Sequence, residues 1–524
     1  MKKTFKCSMC GAEASARTKF CPACGGAVYP VEPEMTEGEY NDAPKKKIPV
    51  KLIAILAIAL VVVILAVVLI VNLMPKKSMY VDVKAELNVD YVSEDDKTYF
   101  ILGGKKLSVT MEGEARIAGT SLDGKVAIIK ESGEDARIHL FKDNKLDEIA
   151  KNVASAQLSA DGKAVVYITN DQTLHLYKIK DKSTTKIASS IIDVVISPNG
   201  GSLAYVSVEE DGTTKMTVWV DGKKTDYGKD LYPFGIANKG KLIYYVDGTK
   251  EAVYVTKGKD KEAVKLRSDV TSVSSARSSG AFNSDHTEFL FRDGDSFYVS
   301  ANGKERAKVI TGSMGQFGGG NFLSYASQTY NVKSFKKQYA SFTKDGDTDL
   351  YYINKKWEAV KIAEDVTAFR VSKSGDVVYY LDKSDNLHRG KGYSDKFSEI
   401  AEDVEDFYIN ESGTECYFLD EDDTLQYVKK AGTPKTIADD VDDIEFTHDG
   451  YCLFVVDRDS SYKGTLYSSK NGSAKKKVAE DVKYVDTCVD GTYYVYADGD
   501  SSILYGTAKK LKFKKLMTYT DTAY

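Results

Sequence analysis

The chain is poor in the residues that carry most enzyme chemistry. Its 524 residues hold five histidines (His139, His175, His286, His388 and His448) and two tryptophans (Trp219 and Trp357). No His-Glu-x-x-His pair occurs, which excludes the helix-borne zinc hydrolase pattern, and no Gly-x-Ser-x-Gly elbow occurs, which excludes the α/β-hydrolase nucleophile turn. The single glycine-rich stretch, 312–320, is followed by no Lys-Ser or Lys-Thr and opens no helical pattern, so it is not a phosphate loop. Amphipathic helical periodicity is missing beyond residue 80, where Val, Ile, Thr, Tyr and Phe crowd short alternating runs instead. Basic charge is also in deficit there. Residues 80–524 carry 61 Lys and Arg against 71 Asp and Glu, a net of about −10, which argues against nucleic acid as a partner.

One long hydrophobic run exists. From Leu52 to Val71, 20 residues pass without a charged or strongly polar side chain. A helix of that length, at about 1.5 Å per residue, spans the roughly 30 Å hydrocarbon core of a bilayer. Residues 50–74 are therefore expected to be a transmembrane helix in contact with the lipid bilayer. A cleaved signal fits poorly, because about fifty residues precede the run and no small-residue cleavage site follows it. Lys45, Lys46, Lys47 and Lys51 precede the span and Lys76 and Lys77 follow it. That bias places the N-terminus in the cytoplasm and the C-terminal part outside. The intervening residues 29–49, with four prolines, five acidic residues and a lysine run, read as a disordered linker.

Four of the seven cysteines open the chain: Cys7 and Cys10, then Cys21 and Cys24, each pair spaced Cys-x2-Cys. Four thiolates at this spacing suit one structural Zn²⁺ in a tetrahedral site. A piece of roughly 25 residues has no core of its own, so the metal supplies the stability. With its Cys-x-x-Cys-Gly and Cys-Pro-x-Cys-Gly halves, this segment resembles the short zinc ribbon at the N-terminus of many bacterial membrane proteins. The resemblance implies a small β-ribbon over 1–28 with structural metal and no catalysis, open to a cytoplasmic protein partner. Thiolates persist in a reducing compartment, in keeping with a cytoplasmic N-terminus.

The bulk of the chain repeats. Ile149-Ala150-Lys151-Asn152-Val153, Ile362-Ala363-Glu364-Asp365-Val366, Ile400-Ala401-Glu402-Asp403-Val404, Ile437-Ala438-Asp439-Asp440-Val441 and Val478-Ala479-Glu480-Asp481-Val482 are near-copies, with a shorter one at Ile187-Ala188. The steps 149 to 187, 362 to 400, 400 to 437 and 437 to 478 are 38, 38, 37 and 41 residues. Weaker copies start near Asp226 and Leu266. An alternating strand follows each phrase, then a polar turn such as Ser159-Ala160-Asp161-Gly162 or Ser372-Lys373-Ser374-Gly375, then an apolar strand and a shorter pair. Four short strands per roughly 40 residues is the arithmetic of a β-propeller blade. The Ser-x-Asp-Gly turn with its following strands resembles the WD-like repeats of TolB-type and prolyl-oligopeptidase-type propellers, although the Trp-Asp dipeptide is absent. The expectation is an all-β protein: a β-propeller of four-stranded blades over 80–524, about seven to eight or more in one ring or two, with the transmembrane helix and the zinc ribbon before it.

Paired carboxylates such as Glu402-Asp403 recur with the repeat and read as turn residues rather than acid–base pairs. Cys416, Cys452 and Cys488 read as buried thiols. The aromatic-rich insertion after the glycine loop, with Phe322, Tyr325, Tyr330 and Tyr339, is the candidate ligand surface, since functional loops sit on rigid scaffolds. No catalytic residue is assigned. The favoured function is a non-catalytic sensor or scaffold at the cell membrane, its propeller binding an extracellular protein, peptide or glycan. The alternative is an extracytoplasmic hydrolase or lyase with its site in the propeller channel.

Overall fold

The computed structural model describes residues 115–520 apart from 134, 144, 318–322, 325–328, 331, 393–395, 448, 489–490, 499–500 and 508–509. It also describes three strands between 90 and 109 and, earlier, residues 5–7, 10, 12–14 and 28–30. The chain divides into two compact units, Met1–Pro75 and Lys76–Tyr524. In the first, the strands Phe5–Cys7, Glu13–Ala14 and Val28–Pro30 form an antiparallel sheet with Phe5–Cys7 in the middle. The expected membrane span, 50–74, and the linker, 29–49, lie outside the described residues, Tyr29 and Pro30 excepted. Among the described residues, no helix is long and apolar enough to cross a membrane.

Among the described residues, the second unit is all-β but for two short helical turns. After a three-stranded sheet between 90 and 109, nine sheets carry an up-and-down four-strand meander: seven have four strands, one six and one seven. The seven-stranded sheet joins two meanders through a shared strand, Lys476–Cys488, so ten blades are described. They are blade 1 (115–150), blade 2 (153–188), blade 3 (191–229), blade 4 (231–267), blade 5 (280–311), blade 6 (313–363), blade 7 (366–401), blade 8 (404–438), blade 9 (441–488) and blade 10 (476–520). The first strand of blade 2 adjoins those of blades 1 and 3, and the same holds between blades 3 and 4 and blades 7 and 8. Sequential four-stranded sheets abutting along their first strands are the arrangement of a multi-blade β-propeller.

The repeated phrase is the crossover between blades. The fourth strand ends on its Ala, at Ala150, Ala188, Ala363, Ala401 and Ala438, and after two intervening residues the next blade starts, at Val153, Ile191, Val366, Val404 and Val441. The residue just before the new strand is left-handed: Asn152, Ser190, Asp365, Asp403 and Asp440 have φ between 53° and 59°, as does Asp481 within the shared strand Lys476–Cys488. Asn and Asp tolerate this region because their short polar side chains hydrogen-bond locally. The amide of the β-branched residue that follows donates to the previous blade's second hairpin: Ile191 to Gln172 O (3.0 Å), Val404 to Asp385 O (2.8 Å) and Val441 to Asp423 O (3.0 Å). The Asp or Asn that ends the phrase thus serves the backbone turn, while the carboxylates of Glu364 and Asp365 also pair with Lys361 and Lys383.

The Ser-x-Asp-Gly turns interlock neighbouring blades. Ser159 is buried; its Oγ donates to Asp161 Oδ1 (2.9 Å) and accepts from the Ala164 amide (3.0 Å), which closes the hairpin. Leu122 N donates to Ala160 O (2.8 Å), Asp161 N to Pro198 O (2.9 Å) and Lys373 N to Glu411 O (2.8 Å), so each turn holds the next. Gly162, at φ 66°, lies where a Cβ would stand 3.0 Å from Ser121 and Val126 of blade 1. The core lies between consecutive sheets: Val126, Ile128, Val165 and Tyr167 join blades 1 and 2, and Tyr379, Phe407 and Phe418 join blades 7 and 8. A single blade cannot bury both faces, so the stack is the folding unit.

The insertion is an elaborated blade. The short strands Leu323–Ser324 and Thr329–Tyr330, which belong in sequence to blade 6, pair with each other, and Thr329 pairs in parallel with Phe282 of blade 5. Glu288 receives the return of this excursion. Its carboxylate accepts from Ser334 Oγ (2.8 Å) and Phe335 N (2.7 Å).

Candidate functional site

The phrase fails between blades 4 and 5. After the strand Val264–Arg267, twelve residues intervene before Gly280–Phe282 begins blade 5, against two at the regular crossovers. They contain helix α1 (Val273–Ser278), whose N-cap Ser272 accepts from the Ser275 amide (3.1 Å). Ala276 is buried, and Val273 packs against the cluster of Phe234, Tyr244, Phe282 and Phe289. That cluster fixes α1 over the first strands of blades 4 and 5.

A cleft of 540 Å³ opens beside α1. Its base is apolar, from the buried Ala281, Leu290 and Phe297 together with Met314. Its polar wall carries three guanidinium groups, on Arg267, Arg277 and Arg292, and the hydroxyl-bearing Ser278 and Ser279. The arginines are incompletely neutralised. Arg267 Nε stands 3.6 Å from Asp293 Oδ1, but Asp293 is shared with Arg306, which also donates to Leu266 O (2.9 Å). Arg277 Nη2 stands 3.6 Å from Asp193 Oδ2 on the first strand of blade 3; that nitrogen is buried and makes no hydrogen bond. Burial pushes the Asp193 carboxyl above its ordinary range, against the pull of Arg277. Arg292 is exposed, donates from Nε to Gly294 O (3.0 Å), and pairs with no carboxylate among the described residues.

Among the described residues, no acid–base constellation faces this cleft. Four histidines are described, and each is tied into blade structure. His139 Nε2 lies 2.8 Å from Glu131 Oε1, and His388 Nε2 lies 2.8 Å from Asp382 Oδ2 at a hairpin. His175 stacks on Tyr167 with ring centroids 5.0 Å apart. His286 is buried against Phe282, with a ring nitrogen 3.1 Å from Ile236 O, and burial lowers its pKa to about 4. His448 lies outside the described residues. Cys416 and Cys452 are buried thiols on the second strands of blades 8 and 9, and burial pushes both pKa values up.

The expected site residues fall in three groups. Cys7 ends the strand Phe5–Cys7 and Cys10 is exposed, while Cys21 and Cys24 lie outside the described residues. Among the described residues, no group of His, Cys, Asp and Glu is placed to hold a metal ion. Phe322 and Tyr325 lie outside the described residues, and Tyr330 lies on the strand Thr329–Tyr330. Tyr339 is corrected. It is 1 % exposed, and its hydroxyl donates to Gly392 O (2.9 Å) of blade 7, so it is an inter-blade strut rather than part of a ligand surface. Sequence reasoning missed Arg267, Arg277, Arg292 and Met314. Composition held the signal: the chain has ten arginines among its 72 basic residues, and four of the ten lie between 267 and 306.

The fold thus defines a multi-blade β-propeller with an irregular, arginine-lined crossover between blades 4 and 5. No family model and no curated protein matches the chain. Among solved structures it is similar to a eukaryotic initiation factor (13 % identity over 78 % of this chain and 96 % of that one, TM-score 0.39). It is also similar to the C-terminal WD40 domain of Sif2 (15 % identity, 62 % and 98 %, TM-score 0.28) and to the tricorn protease (10 % identity, 83 % and 63 %, TM-score 0.25). Likenesses this loose carry no argument, and the assignment of fold rests on the strand pairing.

Proposed function

We propose that this protein is a membrane-anchored binding module. Its propeller stands outside the cell as a non-catalytic scaffold or sensor that engages a protein partner, and the N-terminal segment stays in the cytoplasm. The observation that carries the binding role is the cleft at α1: an apolar base under an under-neutralised arginine wall, with the described histidines committed elsewhere. Clefts of this size with an apolar lining and a few convergent polar groups are the usual form of a ligand site. Anchoring is supported by the uncharged run from Leu52 to Val71 and by its lysine flanks. One Zn²⁺ fits the first unit by donor chemistry, since Cys7, Cys10, Cys21 and Cys24 supply four thiolates at the spacing of a closed structural site.

Two experiments test this. A photo-cross-linker placed at Ser279 in the full-length protein is expected to capture a partner in intact cells, while one at the exposed Tyr462 is not. Equal capture at both positions, or none at Ser279, removes the binding role of the cleft. Alkylation of a cysteine introduced at Tyr462 by a membrane-impermeant reagent is expected on intact cells; labelling only after lysis reverses the topology.

A further inference from the structure

The binding role proposed above leaves the ligand's chemistry open, and the cleft narrows it. Arginine is scarce in this chain, yet four of ten fall between 267 and 306, where lysine would serve as well for solubility. Arginine differs from lysine in offering a planar fork that grips a carboxylate or phosphate with two parallel hydrogen bonds. Within the site the counter-charge runs short. Asp293 serves both Arg267 and Arg306, Asp193 stands 3.6 Å from Arg277, and Arg292 pairs with no described carboxylate. Arg277 Nη2 is buried beside Asp193, so the exposed Arg292 is the guanidinium most open to a ligand.

We propose that the cleft beside α1 holds an acidic peptide segment, its carboxylates on Arg292, Arg277 and Arg267 and one aliphatic or aromatic side chain on Leu290, Phe297 and Met314. The apolar base decides between anionic ligands. Inorganic phosphate or a phosphate-rich polymer gains nothing from Leu290 and Phe297, which are 2 % and 8 % exposed at the bottom of the cleft. A peptide brings both halves of the complement: carboxylates for the wall and a hydrophobic side chain for the base. The net negative charge of the rest of the unit repels an acidic partner elsewhere and so confines it to this wall.

The test is fluorescence anisotropy on the full-length protein in detergent, with a labelled acidic pentapeptide carrying a central leucine. Binding is expected, and it should weaken as salt is raised, because screening shortens from about 10 Å at 0.1 M to about 3 Å at 1 M. The uncharged amide version of the peptide and the version with a central serine are each expected to bind about tenfold more weakly or worse. Arg292→Gln, an exposed change that leaves thermal unfolding unaltered, is expected to weaken the acidic peptide about five- to tenfold; Lys178→Ala, outside the cleft, leaves it unchanged. Equal binding of the amide peptide, no effect of Arg292→Gln, or displacement of the peptide by millimolar inorganic phosphate overturns the assignment. The cross-linker at Ser279 separates the two readings. Capture of a partner there without competition by the acidic peptide ends the acidic-peptide assignment and leaves the binding role standing; absence of capture ends the binding role itself.

Discussion

Blades 7 to 9 and blades 4 to 6 are built from the same strands and differ in what joins them. In the regular set each crossover takes two residues, one of them a left-handed Asp at 403 or 440, and the turn of blade 7 bonds to that of blade 8 through the backbone, from Lys373 N to Glu411 O. In the irregular set the crossover into blade 5 takes twelve residues and a helix, and the following blade sends a hairpin back onto Phe282. Blade 5 also replaces the turn glycine. His286 occupies the left-handed position, φ 57°, that Gly162 and Gly413 take elsewhere. Its imidazole packs on Phe282 and bonds to Ile236 of blade 4, filling space that a glycine leaves to its neighbour's Ser and Val. Where the repeat is kept, side chains are consumed by stacking; where it is broken, guanidinium groups and an apolar base are left lining a cleft.

The largest effect lies in the regular set. Phe407 is fully buried between blades 7 and 8, and Phe407→Ala is expected to cost about 3–5 kcal/mol in urea denaturation. If blades interact only with their neighbours, the same variant leaves peptide binding at the α1 cleft intact while it remains folded. Loss of binding in step with stability would break that separation. Next comes His286 in the irregular set. Its pKa falls from the ordinary 6.5 to about 4 because burial disfavours the cation, against the opposing pull of Asp285 and the Ile236 carbonyl. The unfolded chain therefore takes up this proton first as pH falls. The stabilisation is complete above about pH 6.5 and is lost down to about pH 4, an effect of about 3 kcal/mol. His286→Gln is expected to flatten the stability curve over that window relative to the parent protein; an unchanged slope would show that the imidazole is not held neutral.

The propeller was legible because each of its devices repeats. Val, Ile and Tyr at period two announce strands, and the Ile-Ala-x-Asp-Val phrase marks the crossovers into blades 7, 8 and 9 so regularly that the positions of Asp365, Asp403 and Asp440 could be read as structural before their φ angles were seen. The cleft was not legible, because it is made by departure from the repeat. Nothing in residues 268–279 states that Arg277 reaches Asp193, which precedes it by two blades, or that Met314 of blade 6 joins Leu290 of blade 5. Those contacts are set by how sheets stack. Tyr339 shows the opposite error. An aromatic residue after a glycine-rich loop looks like a surface group, yet it opens a strand, Gln338–Lys344, whose face is the core between blades 6 and 7.

The role given to the crossover carboxylates can be sharpened at Asp403. The claim is that its backbone matters and its charge does not. Asp403→Gly, which relaxes the left-handed residue, is then expected to change stability by no more than about 0.5 kcal/mol, and Asp403→Val, which strains it, to cost about 1–2 kcal/mol. Thermal unfolding of the two variants decides this. Equal destabilisation by both would mean that the carboxylate itself is needed.

The smallest effect tests whether α1 is a fixed wall of the cleft. Ser272 Oγ accepts from the Ser275 amide, and the Ala276 amide bonds back to Ser272 O (3.2 Å) in the first turn of the helix. A helix of six residues cannot persist on propensity alone, so the cap and the contact of Val273 with the blade 4 core hold it. Ser272→Ala removes the cap acceptor at a cost of about 1 kcal/mol, and because α1 opens locally, that cost appears as about fivefold faster hydrogen exchange at Ala276 rather than as lower global stability. A neighbouring amide in a regular crossover, that of Val404, is expected to exchange as before. If Ala276 exchange does not change, the wall is held by packing without its cap, and Arg277 is positioned by the blade 4 core alone.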